Sequence, residues 1–397
     1  MTRRIVVIGA GIAGVATAAC VSEVDGVDVV VLDRGPRGSL LGSTGLAPGL
    51  VGLFNEAPVL TKLAQASVHC YTDLSDRGLN GFDRVGGLEI ATTPEGQREV
   101  ERRSELANAQ GLPTQVLNAR QAAAAAPALV DEPRCVGAVH YPDDGVAHAG
   151  VIVAALADRA AAAGARFRYN GAVSAIDVQG GRVRAVRVGT DVYRTDDVII
   201  ACGIWGPAVA ALAGQRLALT PVAHPYVYSE PRAPAGPSPF VRWPEHHAYA
   251  REHGDRLGLG TYAHTPVRVS PDDLGTEAEQ PWPAEVFDPA IAESSKLLPA
   301  ATRFTPQERL NGVFAMTPDN LPLVGAVGDV DGLWAAQALW VTHAGGAARA
   351  LAQLITRGDT DLSEIDQLDP CRFADHLPDE LTRRALRLYL DIYAAVD

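Results

Sequence analysis

The first 33 residues constrain the fold more than any other part of the chain, because a short apolar run leads straight into the motif Gly-x-Gly-x-x-Gly. Within this motif, Gly9 permits a tight turn, Gly11 lets the backbone approach a pyrophosphate, and Gly14 lets a helix pack closely on the strand. A second apolar run ends at Asp33, whose carboxylate can accept hydrogen bonds from ribose hydroxyls. This order of strand, glycine turn, helix, strand and acid predicts a dinucleotide-binding unit in an α/β, Rossmann-like fold.

Two helix ends and one small-residue segment supply further candidate contacts to a dinucleotide. The first helix is predicted to begin near Ile12 and Ala13, so that its positive N-terminal end faces the phosphates. A helix predicted to begin near Gly345 would aim another set of amides at the cofactor, although an ordinary packing helix has the same pattern. The hydroxyl oxygens of Ser43 and Thr44 could line the cofactor or could belong to a loop and helix cap.

Composition restricts the class of protein and the class of partner. With 397 residues, of which 47% are hydrophobic and 20% charged, the chain has the balance of a soluble globular protein. The net charge of -13 argues against nucleic acid or an anionic membrane surface as a partner, and solubility alone also accounts for such a charge. The apolar segment 5–21 contains three glycines and belongs to the predicted strand and helix, so no membrane span is predicted.

Neither the cysteines nor the histidines are spaced like metal ligands. The five cysteines form no Cys-x-x-Cys pair, which is typical of reduced thiols in a cytoplasmic protein. No signal peptide precedes the first strand, which also favours the cytoplasm. The histidines His246, His247, His253 and His264 fit no compact ligand pattern, so no metal site is predicted.

The order of the predicted elements indicates a cofactor-binding domain into which a substrate domain is inserted. Region 219–311 is rich in Pro, His, Tyr and Trp and has short alternating runs, which favours a largely antiparallel sheet. The predicted ranges are 1–80, 143–218 and 312–360 for the cofactor-binding domain, 81–142 and 219–311 for the substrate domain, and 361–397 for a C-terminal tail packing on the cofactor-binding domain. The predicted elements are helices at 58–78, 95–109, 119–126 and 145–163, a strand pair at 82–93, strands at 166–169 and 173–178, a hairpin turn at 180–181, a buried strand from 198 that runs into a helix, a strand at 332–336, a turn at 341–346 and a helix at 347–355.

Several longer segments carry a resemblance to a known family. They are Gly42-Ser43-Thr44 followed by residues 47–50, then residues 85–93, 221–227, 249–256, 260–264 and 340–343. In these segments, which occur in the same order, the chain resembles the flavin module of dimethylglycine oxidase, dimethylglycine dehydrogenase and sarcosine dehydrogenase. These proteins belong to the D-amino-acid-oxidase-like superfamily of FAD-dependent oxidoreductases. The similarity covers nearly the whole chain.

The resemblance implies that the cofactor is FAD and indicates which residues contact it. In the covalently flavinylated relatives a histidine follows the Gly-Ser-Thr segment, and here Leu46 occupies that position. Because the leucine side chain carries no nucleophile, we predict noncovalent FAD. The predicted FAD-contacting residues are Gly9, Gly11, Ile12, Ala13, Gly14, Asp33, Arg34, Gly42, Ser43, Thr44, Gly45, Leu46, Leu50, Val173, Gly203, Trp205, Trp340, Val341, Thr342 and His343.

The implied reaction is oxidation of a secondary or tertiary amine, such as a small N-methyl amino acid, to an imine that water hydrolyses. The amine must react with its lone pair free, and His224 could accept a proton near neutral pH. The resemblance assigns catalytic positions to His224 and Tyr249. Taken alone, a histidine in an apolar strand is more often structural. Arg251 and Arg256 could hold a substrate carboxylate or could be solvated and paired with neighbouring acids, so the carboxylate anchor stays open.

The expected partners are a small-molecule amine and an electron acceptor, which is oxygen or another oxidant. Dimethylglycine oxidase continues into a folate-binding half, whereas this sequence ends at Asp397. The imine is therefore expected to leave and hydrolyse unless a separate folate-binding partner captures it. Alternatives left open are a larger secondary amine of specialised metabolism, a flavin subunit of a heteromeric oxidase, a silent binding protein and a nicotinamide-dependent dehydrogenase. A homo-oligomer is a further candidate assembly.

Overall fold

The computed structural model describes residues 2–75, 81–233 and 236–392. Within these residues the α-helices are α1 (Ile12–Ser22), α2 (Ser43–Leu46), α3 (Pro58–Ser75), α4 (Pro94–Ala109), α5 (Ala119–Ala125), α6 (Ala149–Ala162), α7 (Gly206–Ala211), α8 (Ala284–Ser295), α9 (Val341–Arg357) and α10 (Pro378–Leu390). The strands are β1 (Arg3–Ile8), β2 (Val27–Leu32), β3 (Leu50–Val51), β4 (Phe82–Asp83), β5 (Gly87–Ala91), β6 (Gln115–Leu117), β7 (Gly137–Tyr141), β8 (Gly145–Ala147), β9 (Arg166–Arg168), β10 (Val173–Gln179), β11 (Arg182–Val188), β12 (Asp191–Arg194), β13 (Asp197–Ile200), β14 (Thr220–Tyr228), β15 (Phe240–Trp243), β16 (Ala248–His253), β17 (Arg256–Thr261), β18 (Val267–Arg268), β19 (Glu308–Met316), β20 (Leu323–Ala326) and β21 (Leu333–Gln337).

The first sheet has the strand order β20-β21-β13-β1-β2-β9, and every pair in it except β20–β21 is parallel. Its central strand β1 is apolar on both faces, as expected for a parallel sheet covered on both sides. Ile5 and Val7 pack among the residues of α1, α3, α6 and α9. Val6 and Ile8 point to the opposite face and pack against residues of β11 and β13. The predicted α/β, Rossmann-like class is confirmed.

The second large sheet is mostly antiparallel and has the order β18-β14-β17-β16-β15-β5-β7-β6, with β19 paired along β14. It contains the strands predicted in the Pro- and Tyr-rich middle region. Two small sheets, β10-β11-β12 and β3-β8-β4, complete the architecture of the described residues. None of the helices described here combines the length and apolar character that crossing a membrane requires.

Two of the predicted boundaries are wrong. The predicted helix at 145–163 begins with a strand, β8, before α6. A side chain at Gly145 would lie 2.2 Å from the carbonyl oxygen of Asp83 in the neighbouring strand. The glycine therefore allows β8 to lie close to β4. The predicted strand pair at 82–93 is two strands that do not pair with each other: β4 pairs with β8, and β5 pairs with β7 and β15. Residues 76–78 of the predicted helix at 58–78 lie outside the described residues.

The predicted turn at 341–346 is also wrong, because helix α9 already begins at Val341. The amides of His343 and Ala344 both donate to the carbonyl oxygen of Trp340, which closes the first turn. Gly345 and Gly346 lie inside the helix rather than at its start. They are there because α9 packs closely on α3, so the glycines reflect helix–helix contact and not a break in the helix.

The C-terminal segment contacts more of the molecule than predicted. Phe373 and Leu381 pack with residues of the parallel sheet, in line with the predicted tail on the cofactor-binding domain. Ala385 and Tyr389 of α10 pack instead with residues of β14 and β19 in the large sheet. Residues 393–397 of the tail lie outside the described residues. The division into domains at the stated ranges stays a prediction, and β19 runs across the boundary predicted at residue 312.

The contact between α3 and α9 provides a test of the packing. A methyl group on Gly346 would lie 2.4 Å from the backbone oxygen of Leu63, which cannot move aside as a side chain can. We therefore expect Gly346→Ala to lower the free energy of unfolding by about 1–3 kcal/mol. Gly345→Ala is the matched control. The nearest contact of its methyl group would be at 3.1 Å, and alanine has a higher helix propensity than glycine. Urea unfolding measures both, and equal effects of the two substitutions would contradict this packing.

Candidate active site

One cavity of about 590 Å³ is lined by residues of both large sheets. It brings together nearly all of the residues predicted to contact the cofactor and both residues predicted to be catalytic. Gly14 and Gly45 are the two exceptions, since neither lines the cavity. A side chain at Gly14 would lie 1.8 Å from the oxygen of Gly9, and one at Gly45 would lie 2.1 Å from the oxygen of Leu40. Both glycines therefore permit close backbone packing and do not face a ligand.

At one end of the cavity the glycine turn after β1 is held by the carboxylate of Asp33. The amide of Ala10 donates to Oδ2 of Asp33 at 2.7 Å, and the amide of Gly35 donates to Oδ1 at 2.7 Å. Gly9 has a left-handed φ of +110°, and a side chain there would lie 2.5 Å from the oxygen of Ala201. The carboxylate thus fixes the turns that follow two neighbouring strands, in addition to any contact with a ribose.

The N-terminus of α1 faces this end of the cavity without a side-chain cap. Gly11 is the N-cap residue and supplies no capping oxygen, and the amide of Ile12 has a long hydrogen bond of 3.3 Å to Oγ1 of Thr44. The first amides of a helix have no partner within the helix and favour anions. Together with the side-chain-free backbone at Gly11, this donor set fits the pyrophosphate of a dinucleotide.

Arg34 and Trp205 lie together at the rim of the same end. The guanidinium of Arg34 is 3.9 Å from the ring centre of Trp205, and both side chains donate to the carbonyl oxygen of Gly275. Val173 and Gly203, which were also predicted to contact the cofactor, line the same cavity. These residues offer a flat aromatic and cationic surface to a nucleotide base or ribose.

A second helix N-terminus, that of α9, also lines the cavity. Helix α9 follows Trp340, which is extended and supplies no side-chain cap. The expectation of amides aimed at the cofactor is thus retained, but with the helix start four residues earlier than Gly345. Thr342 donates to the oxygen of Leu50 at 3.4 Å, and burial lowers the pKa of His343 to about 4. His343 is therefore neutral at physiological pH.

Segment 42–46, in which the resemblance puts Leu46 at the position of a flavin-linking histidine, contains the short helix α2. Ser43 donates to the backbone oxygen of Val313 at 2.7 Å, which ties α2 to β19. The side chain of Leu46 faces Gly312 of the same strand, at 3.7 Å from where a side chain of Gly312 would begin. Ser43, Thr44 and Leu46 all line the cavity, and Leu46 contributes only aliphatic carbon to it.

One face of the cavity carries Tyr249, which is predicted to be catalytic; we term it the catalytic face, and strand register determines which residues lie on it. Arg242 lies opposite Tyr249 in the β15–β16 pair and beside Glu89 of β5. Tyr249 lies opposite Gly260 of β17, which in turn lies opposite Tyr226 of β14. Residues paired across a sheet point to the same face. The missing side chain of Gly260 leaves room for the Tyr249 ring, because a Cβ there would lie 2.4 Å from its Cζ.

His224 is buried beside this row and hydrogen-bonded through both ring nitrogens. Its Nε2 is 2.7 Å from the hydroxyl of Tyr249, and its Nδ1 is 2.6 Å from the hydroxyl of Tyr389. Burial and the neighbouring His264 lower the pKa of His224 well below its usual 6.5. The imidazole is therefore neutral near neutral pH, and the role of His224 as a proton acceptor stays a prediction.

Sequence reasoning missed Tyr389 and Arg242. Tyr389 belongs to the buried stripe Leu381, Ala385, Tyr389 of α10, and a tyrosine in such a stripe needs a partner for its hydroxyl, which is the signal available in the sequence. Arg242 had no comparable signal, because its position depends on the pairing of β15 with β5 and β16.

The two arginines considered as carboxylate anchors do not line the cavity. Arg251 donates to the backbone oxygens of Pro48 and Glu252, and Arg256 pairs with Glu308 on the surface. Arg242 does line the cavity, and its guanidinium makes no hydrogen bond to any residue that the structure describes. Its nearest described carboxylate is that of Glu89, at 3.8 Å.

The charge of Glu89 is already balanced by another arginine. Arg103 donates to both oxygens of Glu89 at 2.9 Å, and this pairing lowers the pKa of Glu89 in spite of its burial. Tyr141 also donates to Glu89. The other nearby acid, Asp144, is fully buried, and burial raises its pKa to about 7. Arg242 is thus the cation on this face of the cavity whose hydrogen bonds are not committed to a described carboxylate.

No group of three or more His, Cys, Asp or Glu side chains suitable for a metal ion occurs in the described part of the chain. Of the histidines considered for such a site, His246 bonds to Thr92, His253 bonds to Tyr226, and His264 bonds to Tyr389.

Comparison with known proteins identifies one family, and the curated relatives reported below are oxidases or dehydrogenases by name. A sequence model of the family described as FAD dependent oxidoreductase matches residues 4–354. The chain is 30% identical to 4-methylaminobutanoate oxidase (formaldehyde-forming) of Paenarthrobacter nicotinovorans, over 94% of this chain and 46% of that protein. It is 26% identical to the mitochondrial dimethylglycine dehydrogenase of Homo sapiens, over 96% of this chain and 46% of that protein. The chain therefore spans less than half the length of these relatives.

Solved structures show the same fold. The L-proline dehydrogenase of P. horikoshii matches with a TM-score of 0.84 and 24% identity, over 94% of this chain and 98% of that one. The glycine oxidase of Geobacillus kaustophilus matches with a TM-score of 0.78 and 24% identity, over 94% of this chain and 99% of that one.

Proposed function

The chain belongs to the family of FAD-dependent oxidoreductases, and from this premise we propose that it oxidises a small N-methyl amino acid with noncovalently bound FAD. The observation that carries the proposal is that one cavity joins three features. These are the dinucleotide-binding turn of β1 and α1, the hydrogen-bonded pair His224 and Tyr249, and the guanidinium of Arg242, whose ion pair with Glu89 is long at 3.8 Å. A secondary or tertiary amine with a carboxylate is the substrate class that uses all three.

The residues that would hold FAD are the two uncapped helix N-termini and the backbone between them. The amides at the start of α1 suit the pyrophosphate, and those at the start of α9 suit a part of the cofactor that carries negative charge. When bound, FAD supplies a two-electron oxidant for the carbon next to the substrate nitrogen. Leu46 contributes no nucleophile, which supports noncovalent binding.

Arg242 would orient the substrate by its carboxylate. A guanidinium presents paired donors that match a carboxylate, and the cavity wall beside it is formed by Tyr249 and Tyr226. The centres of these two rings are 5.8 Å apart, and the rings would give an apolar wall to the face on which the amine would lie. The substrate nitrogen would then lie near the hydroxyl of Tyr249, whose oxygen can accept the N–H of a secondary amine while the lone pair reacts. Water outside the site hydrolyses the imine product to an aldehyde and the shorter amine.

The names of the relatives suggest how long the substrate could be. One acts on 4-methylaminobutanoate and another on dimethylglycine, so their substrates share a methylated nitrogen and a carboxylate but differ in the spacing between them. The fixed position of Arg242 relative to Tyr249 would select one spacing. The larger secondary amine and the heteromeric flavin subunit remain the alternatives.

The decisive experiment is anaerobic visible spectroscopy of the purified protein with dimethylglycine, sarcosine and 4-methylaminobutanoate. We expect an oxidised flavin spectrum that is bleached by at least one of them, because hydride removal reduces the flavin. Glycine, which has no N-methyl group, is the matched control and should leave the band unchanged. A flavin band that none of the three N-methyl compounds bleaches would overturn this substrate class and favour a larger amine or a missing partner.

The mode of FAD attachment is tested by acid precipitation. Because Leu46 has no nucleophilic atom, we expect the yellow chromophore to remain in the supernatant and to have the chromatographic mobility of FAD. The protein pellet should be colourless. A yellow pellet that keeps its colour after washing in denaturant would show a covalent bond formed elsewhere in the cavity.

The anchoring role of Arg242 is tested by Arg242→Gln. We expect KM for the carboxylated amine to rise about 10- to 100-fold, since hydrogen bonds to charged groups contribute roughly 1.5–3 kcal/mol. For the amide of the same substrate, which lacks the negative charge, KM should rise much less from wild type to variant. Arg256→Gln is the matched control, because Arg256 lies on the surface and pairs with Glu308. An equal rise in KM for the acid and its amide would assign Arg242 a structural role instead.

A further inference from the structure

A continuous chain of hydrogen bonds connects the cavity to the C-terminal helix and the loop after β17. The hydroxyl of Tyr249 lies 2.7 Å from Nε2 of His224, and Nδ1 of His224 lies 2.6 Å from the hydroxyl of Tyr389. The same Tyr389 hydroxyl lies 2.9 Å from Nε2 of His264, whose Nδ1 lies 2.9 Å from the backbone oxygen of Thr265. All four side chains are buried.

The backbone oxygen of Thr265 fixes the donor and the acceptor in the two hydrogen bonds of His264. The oxygen of Thr265 can only accept, so Nδ1 of His264 carries a hydrogen. Burial lowers the pKa of His264, which keeps the ring neutral and leaves Nε2 as an acceptor. The hydroxyl of Tyr389 therefore donates to His264.

The hydrogen bond that Tyr389 donates to His264 also determines which nitrogen of His224 carries the hydrogen. Tyr389 has a single hydroxyl hydrogen, which His264 already accepts, so towards His224 its oxygen must act as the acceptor. Nδ1 of His224 consequently carries the hydrogen. Because burial holds this second imidazole neutral as well, its Nε2 accepts a hydrogen bond from the hydroxyl of Tyr249.

We infer that Tyr389 and His264 are positioning residues, which set the tautomer of His224 and thereby turn the hydroxyl hydrogen of Tyr249 away from the substrate. The oxygen of Tyr249 then acts as an acceptor towards the cavity, which suits the N–H of an amine. This inference rests on the proposed function only for the nature of the substrate, since the tautomer itself follows from the hydrogen bonds of the protein.

Loss of the Tyr389 hydroxyl should reverse the direction of the hydrogen bond between His224 and Tyr249. In Tyr389→Phe, Nδ1–H of His224 would be buried without its acceptor, which disfavours that tautomer. The alternative tautomer carries its hydrogen on Nε2 and donates to the oxygen of Tyr249. The hydroxyl hydrogen of Tyr249 would then point into the cavity, towards the N–H of the substrate.

The direct test is the tautomer of His224 in the FAD-loaded protein labelled with ¹⁵N-histidine, without substrate. We expect long-range ¹H–¹⁵N spectra to show a protonated Nδ1 and an unprotonated Nε2, with the signals assigned by their loss in His224→Gln. In Tyr389→Phe the proton should move to Nε2. A wild-type His224 protonated on Nε2 would overturn the inference, and this result does not depend on which amine the enzyme oxidises.

The kinetic test separates positioning from folding. We expect Tyr389→Phe and His264→Leu each to slow flavin reduction at saturating amine by at least about tenfold, with KM nearly unchanged. His264→Gln should restore most of the rate, because the glutamine oxygen can accept from Tyr389. Leu386→Ala is the matched control, since it loosens the packing of α10 without removing a hydrogen bond of the chain. Rates within twofold of wild type in both Tyr389→Phe and His264→Leu would overturn the inference.

Discussion

The close approach between the end of β1 and helix α1 is the constraint on which the cofactor end of the molecule depends. With a side chain at position 14 the helix could not lie against the carbonyl of Gly9, because the two would be 1.8 Å apart. This contact sets where the helix N-terminus lies relative to the strand. The carboxylate of Asp33 then holds Ala10 and Gly35 by their amides, so the turns after β1 and β2 are fixed to each other. The donor groups for a dinucleotide are thus positioned by contacts of the backbone itself.

The catalytic end is held by a different principle, which is that buried polar groups must have partners. His224, His264 and Tyr389 are neutral and hydrogen-bond to one another, so they can be buried without the large cost of isolated ions. Glu89 and Arg103 form a buried ion pair, to which Glu56 and the hydroxyl of Tyr141 also contribute hydrogen bonds. Arg242 differs from these groups, since it is charged, only partly exposed and not hydrogen-bonded to a described residue. A cation kept in that state has a strong preference for an anionic ligand, which supports the proposed carboxylate specificity.

The parts of this structure that could be predicted from the sequence are those in which the relevant residues are close together in the chain. The glycine motif and Asp33 lie within 33 residues, and their geometry follows from one strand, one turn and one helix. Gly345 and Gly346 show the limit of this approach, because glycines in a helix interior and glycines at a turn have the same local pattern. Only the packing of α9 on Leu63 of α3 distinguishes the two. Arg242 and Tyr389 could not be assigned for the same reason, since strands and helices distant in the sequence bring them to His224.

This difference bears on how such a protein can acquire a new substrate. The cofactor end relies on backbone contacts in which a single added methyl group collides with a carbonyl oxygen, so substitutions there act on the whole fold. On the catalytic face, by contrast, Arg242, Tyr249 and Tyr226 project from paired strands whose ladders are made by the backbone. A side chain on that face can therefore change while the ladder persists. The tautomer of His224, if set from α10, adds a third level of control, because a residue 165 positions away in the chain determines which atom meets the substrate. Substrate specificity and hydrogen-bond direction can then vary independently of the dinucleotide-binding framework.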